Sequence, residues 1–324
     1  MKFFIISALL IASAAADGIE QFKSEALKGI SQQDEIYSHG ITLQCDFGMI
    51  RHYWGEMYTC IARNLVTRHH YDYIMNATGD HMTGKTDKDV EAVYILGQRT
   101  RFLPYNISTP FNGVKAIRVE GSGLLFLNRT LKYEGPLEYL HLENNLLRTV
   151  PSWAFRGLTN LKWLSLRNNH IKYLESTMFR DMRSLRRFSA SSNLIEVVPT
   201  GLFFYTPELE EVYFYNNKIR MIGGRLVAAL GKLKVAVFMG NPCTQISVYD
   251  GVNVISRLST EFTTKCGVNC VKAEEAAQDH IKELREELQK KQECSSAMNE
   301  VQKQREYQNR MPAQPQLSAE SQEH

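Results

Sequence analysis

Between Leu137 and Glu208 the chain repeats itself every 24 residues. Units opening at Leu137, Leu161 and Leu185 follow L-x-x-L-x-L-x-x-N-x-L or a close relative. The first carries Leu140, Leu142, Asn145 and Leu147; the second Leu164, Leu166, Asn169 and Ile171; the third Phe188, Ala190, Asn193 and Ile195. Apolar residues at positions 4 and 6 alternate with polar neighbours, which makes a short strand with one inward side. The Asn at position 9 brings an amide to the point where the strand ends and backbone groups lose their partners. Phe155, Phe179 and Phe203 recur at position 19 and are expected to stack as a column on the convex side. No unit covers its own apolar face. Stacked units cover one another, at about 1.5–3 kcal/mol per fully buried Leu or Phe.

The same phase extends in both directions. Forward, Leu209 opens a unit with Val212, Phe214, Asn217 and Ile219, and Leu233 opens a partial one with Ala236, Phe238 and Asn241. Backward, Val114 and Val90 open weaker units, giving six full units and a fragment. This period with its Asn resembles the extracellular leucine-rich repeat family, the group that includes Toll-type receptor ectodomains. The resemblance implies an α/β solenoid: a leucine-rich repeat horseshoe with a parallel concave β-sheet, cysteine caps and a C-terminal helix or short coiled coil.

The compartment follows from the N-terminus and the cysteines. Lys2, an apolar run over residues 3–11 and Ala14, Ala15 and Ala16 read as a secretory signal peptide, residues 1–16. Six cysteines suit an oxidising environment, as do N-x-S/T sequons at Asn76, Asn106 and Asn128. In the repeat frame Asn106 and Asn128 fall on the return side of the coil. No other stretch reaches the length of a membrane span, and a net charge of +3 argues for neither nucleic acid nor a membrane surface. A secreted, extracellular protein is expected.

Residues 17–89 form the N-terminal region and cap. Ile19, Phe22, Ala26 and Ile30 have helical spacing. Cys45 and Cys60 flank an aromatic stretch just upstream of the repeats, where a solenoid must cover its first apolar edge. They are read as bonded, as at the amino ends of insect secreted leucine-rich repeat proteins, which the region resembles; sequence alone leaves other pairings open.

Residues 79–86, GDHMTGKT, fit the phosphate-cradling pattern G-x-x-x-x-G-K-[ST]. That chemistry needs a helix to follow. Residues 87–96 alternate like a strand instead, so the segment is read as a polar turn. His69, His70, Asp72 and His81 lack the spacing of a metal site, and neither a metal nor a cofactor is expected.

After the repeats, residues 90–242, the sequence Asn241-Pro242-Cys243 opens a C-terminal cysteine cap over residues 243–270. Cys243 is expected to pair with Cys266, leaving Cys270 at the threshold of the next element. Residues 271–310 hold Ala277, Ile281, Leu284 and Leu288 at coiled-coil spacing, and residues 311–324 read as a disordered tail. A continuous helix would hold Cys270 and Cys294 about 36 Å apart, far beyond disulfide reach, whereas a broken one leaves a bond between them open; at least one interchain bond is expected, most simply through Cys294.

No catalytic constellation stands out, and an enzyme is not expected. The outward positions 3, 5 and 7 of the central units place Tyr139, His141, Trp163, Arg167, Arg187, Tyr213 and Tyr215 on one face, rich in the aromatics and Arg that anchor protein interfaces. These are the candidate partner-binding residues. The order of parts resembles the leucine-rich immune molecules of mosquitoes. That resemblance implies an innate-immune recognition protein that dimerises through its cysteine and coil region and binds a complement-like thioester protein. A secreted adhesion, matrix or salivary binding protein is the alternative.

Overall fold

The structure is a computed structural model that describes residues 40–63, 65–67, 72–97, 100–127, 135–223, 226–228, 230–249 and 253–267. The lead-in helix, the signal peptide, His69, His70, Asn128, Cys270, Cys294, the coiled-coil segment and the tail lie outside them.

Eleven strands of the described residues form one sheet. Its centre is the repeat: β4 (Ala92–Leu96), β5 (Ala116–Glu120), β6 (Tyr139–His141), β7 (Trp163–Ser165), β8 (Arg187–Ser189), β10 (Glu211–Tyr213) and β12 (Val235–Val237). These pair parallel in order and in phase. Val93, Ile117, Leu140, Leu164, Phe188, Val212 and Ala236 stand opposite one another as one inward rung after another. All seven are buried. On the return side, β9 (Val197–Val198) and β11 (Met221–Ile222) pair as a second, two-stranded parallel sheet.

The position-9 asparagines hold coil to coil. Asn193 Nδ2 donates to the carbonyls of Leu166, Ala190 and Ser191, while its Oδ1 accepts the Ile171 amide at 3.0 Å. Asn145, Asn169, Asn217 and Asn241 make the corresponding bonds one coil apart. Each bridges backbone groups that neither strand nor turn can pair. Immediately before them Asn144, Asn168, Ser192 and Asn216 adopt positive φ, and Gly121 and Gly240 do so in the flanking coils. The left-handed turn that ends every strand is therefore written one residue ahead of the amide.

A second ladder runs at position 2, where acidic and basic residues of neighbouring coils pair, broken only where Lys162 is followed by Arg186. Glu91 pairs with Lys115 at 2.8 Å, Glu138 with Lys162 at 2.7 Å, and Glu210 with Lys234 at 2.8 Å. Phe155, Phe179 and Phe203 turn inward and are buried. Phe179 stacks on Phe203 at 5.7 Å and meets the strand residue Phe188 edge-on at 4.8 Å, so the column fills the core between the sheet and the convex wall.

Both ends are closed by disulfides. At the start, β1 (Gly40–His52) and β2 (Gly55–Arg63) form a hairpin bonded through Cys45 and Cys60, and β3 (Tyr73–Thr78) pairs with β1 as the sheet's edge. The strand β2 aligns with β4, so Cys60 opposite Val93 acts as a rung before the first repeat. At the far end β13 (Ser247–Val248) pairs antiparallel with β12, and α1 (Val254–Lys265) follows. Val254, Leu258 and Phe262, spaced i, i+4, i+8, form the buried stripe of α1; Phe262 meets Phe238 edge-on at 4.9 Å. Cys266, at the C-cap of α1, is bonded to Cys243.

The phosphate-loop pattern dissolves into turn chemistry. Residues 87–89 form a single 3-10 turn, and the strand begins at Ala92. Gly79 has φ 142° and passes so close to Cys45 that a Cβ would run into its carbonyl oxygen; Gly84, at φ 79°, sits in the turn closed by the Lys85 amide on Met82. Lys85 faces Asp89 at 3.6 Å, and Thr86 bonds the same carboxylate. His81 is held between Tyr58 and Asp87 and stacks on Phe47 at 3.9 Å. Among the described residues no cluster of three or more His, Cys, Asp or Glu side chains could hold a metal ion, and no helix is long and apolar enough to cross a membrane.

Candidate protein-binding face

The outward side of the sheet divides into a covered half and an open half, and residue size at position 3 draws the boundary. The first two repeats place Ala92 and Ala116 there; the next three place Tyr139, Trp163 and Arg187. The β1–β2 hairpin is longer than the sheet it joins. Its outer part lies in the alanine lane, where Met57, Ala92, Tyr94 and Ala116 form a small core separate from the main one, with Ile50, Trp54 and Tyr139 packed around it.

The hairpin tip stops against the aromatic step. Trp54 stacks on Tyr139 at 4.3 Å, lies 5.0 Å from the His141 ring, and meets Trp163 edge-on at 5.5 Å. Beside it, His52 stacks on Trp54 and bonds the hydroxyl of Tyr94. His141 is thus only 6% exposed, and Tyr139 and Trp163 are half-buried. Strand alternation alone puts all three at outward positions, where exposed anchors are expected. The hairpin removes His141 from the surface, because no repeat pattern reports what a segment outside the repeats will lie on.

Charges under the hairpin are arranged accordingly. Burial lowers the His52 pKa, and the Arg118 and His141 charges lower it further. Burial would raise the carboxyl of Glu143, but bonds from His141 and Ser165 and the charge of Arg118 outweigh it and leave it below its usual value. Arg118 pairs with Glu120 and lies 5.3 Å from the centre of the Tyr94 ring.

Beyond Trp163 the face is open. Arg187 lies over the Trp163 ring at 5.1 Å and pairs with Glu211 at 2.8 Å; Tyr213 donates its hydroxyl to the same carboxylate at 2.8 Å. Burial, together with that bond and the Glu211 charge, pushes the Tyr213 pKa up to about 12. Arg167 lies over Tyr215 at 5.7 Å. Four of the seven sequence-named residues, Arg167, Arg187, Tyr213 and Tyr215, therefore share the open half. Three exposed residues extend it that the repeat frame did not single out: Tyr53 at the hairpin tip, 92% exposed and 6.1 Å from Trp163, Met239 at position 7 of the last unit, and Tyr249 just after β13. Met239 was legible from its place in the period. The other two lie outside it.

Two of the three sequons fall on described residues. Asn76 is exposed on the edge strand β3, and Asn106 is exposed in a turn at φ 56°.

Comparison with known proteins agrees with this geometry at the level of the repeat. The family profile described as "Leucine rich repeat" matches residues 136–195. No curated protein sequence matches the chain. Among solved structures, it is similar to a chain of the octameric complex of Latrophilin 3, Unc5D and FLRT2, at 24% identity and a TM-score of 0.42 over 49% of this chain and 48% of that one. It is similar to a chain of the Toll–Spatzle complex, described as a hub in Drosophila development and innate immunity, at 17% identity and 0.45 over 56% and 23%. It is also similar to a chain of the LRIM1/APL1C complex, at 17% and 0.47 over 61% and 35%. The chain spans less than half the length of each. With in-phase parallel rungs, an asparagine ladder and a matching repeat profile, the described chain is a leucine-rich repeat solenoid.

Proposed function

We propose that this is a secreted recognition protein that binds a protein partner through the open half of its sheet face, in insect innate immunity. The observation that carries the binding reading is the strip Trp163, Arg187, Glu211 and Tyr213. Each side chain is fixed by the next, so a partner meets rigid aromatic and guanidinium surface at little entropic cost. The two disulfides and the exposed sequons support an extracellular setting. The immune assignment rests on the order of parts along the sequence, which resembles the leucine-rich immune molecules of mosquitoes. On that reading the partner is a complement-like thioester protein, and the segment after Cys266 joins two chains through Cys294.

The test is a cross-linked pull-down from native body fluid, comparing the wild-type chain with Arg187→Ala/Tyr213→Ala. A defence protein captured by the first and lost with the second supports the reading; equal capture by both retires this face. Non-reducing electrophoresis showing monomer alone would remove the interchain bond. Expression confined to matrix or salivary tissue, without induction on infection, favours the adhesion or salivary alternative.

A further inference from the structure

We infer that the open half selects an acidic side chain of its partner, an Asp or Glu seated on Arg167. The inference rests on the reading of this face as a protein-binding surface and adds the chemistry of what it binds. The other charged side chains at the outward positions of the described repeats are paired: Arg118 with Glu120, His141 with Glu143 at 3.4 Å, and Arg187 with Glu211 at 2.8 Å. Arg167 differs. It is exposed, and its guanidinium lies over the ring of Tyr215 with no carboxylate partner among the described residues.

That stacking leaves the recognition chemistry free. A guanidinium lying over a ring is held in place by its π-face while its N–H edges stay available for a bidentate carboxylate. The rung between them holds the second observation. Asn168 donates its amide to the Ser191 carbonyl, and Ser192 donates to the Tyr215 carbonyl, so Ser191 occupies the outward position between Arg167 and Tyr215. Ser191 is fully buried, and its hydroxyl has no hydrogen-bond partner. With that hydroxyl buried and bonded to nothing, the rung between them supplies no acceptor to Arg167, whose N–H edges remain for a partner's carboxylate.

The surroundings also limit the register. Glu143 stands at the outward position one coil before Arg167, and Glu211 lies on the far side with Arg187 and Tyr213 already bound to it. A second acidic residue placed over either carboxylate is repelled, so the partner segment presents one acid flanked by neutral or basic residues.

A phage-displayed library of random linear peptides, panned on the full chain, tests this. Wild-type binders are expected to share one fixed Asp or Glu. Arg167→Glu should weaken those peptides about tenfold or more, and Arg167→Lys, which keeps the charge without the fork, should fall between. Binders lost with Arg187→Ala/Tyr213→Ala yet lacking an acidic position, or indifferent to Arg167→Glu, overturn the acidic preference and leave the face intact. Peptides that bind all variants equally overturn the face and the preference together.

Discussion

Trp54 lies flat on Tyr139, 4.3 Å apart with their planes 6° from parallel, and this one stack joins a hairpin outside the repeats to the coil opened by Leu137. Between them pass β4 and β5, whose alanines make the room. The contact decides which part of the outward face a partner can reach. Trp54→Ala should lower stability by about 1–3 kcal/mol in urea unfolding, through lost burial and ring stacking. It should also make Trp163 more accessible to acrylamide quenching. Unchanged quenching would mean that the hairpin does not cover this site in solution.

The hairpin seat should weaken in mild acid. His52 has its pKa lowered by burial, then by Arg118 and His141; it also faces Trp54 and the Tyr94 hydroxyl. Because the folded value lies below the unfolded one, the opened state takes up the extra proton. Stability is unaffected above about pH 6.5 and declines as pH falls through that value toward the folded pKa. Glu143 acts lower down: its pKa is depressed, so its contribution is lost only below the ordinary carboxylate range. Amide exchange over residues 49–58 should speed up between about pH 7.5 and about pH 5.5, after correction for intrinsic rates. His52→Gln should flatten that change; an identical profile in the variant would exclude His52 as its source.

The asparagine ladder carries more than the residues beside it. Asn193→Ala abandons four backbone groups in the core and should cost about 3 kcal/mol or more. Asn168 sits at φ 53° and bonds Asn144, partly in solvent. Asn168→Gly should be near neutral and Asn168→Ala should cost about 1 kcal/mol, the left-handed penalty of a Cβ. Chemical denaturation of the three variants checks the order, and equal losses would contradict it.

At the far end, the disulfide and α1 close the same edge. Replacing Cys243 and Cys266 together by Ala should cost about 3 kcal/mol for a loop of this length. Phe262→Ala, which strips the ring from Phe238, should cost about 3–5 kcal/mol. Thermal unfolding of both variants should show the last coils loosening first, and exchange protection confined to the N-terminal coils would locate the damage.

What could be read without coordinates is what repeats. A coil of fixed length meets only its neighbours, so Leu140, Leu164 and Phe188 had to become adjacent rungs, and Asn145, Asn169 and Asn193 had to bridge them. The position-2 charge ladder and the left-handed residues were open to the same inspection, since they keep the same period. The helix α1 was not, because its stripe of Val254, Leu258 and Phe262 is short and lies outside the period, in the span read from its cysteines as a cap.

The functional face divides along the same line. Alternation along each strand settled that Tyr139, Trp163, Arg187 and Tyr213 turn to the outward side. Which of them stay uncovered was decided by where the β1–β2 hairpin falls, a contact between segments distant in sequence and unrelated in pattern. Local period is a property of neighbours along the chain. The landing place of a hairpin depends on the whole surface it finds, here the two alanines that admit it and the tyrosine and tryptophan that stop it.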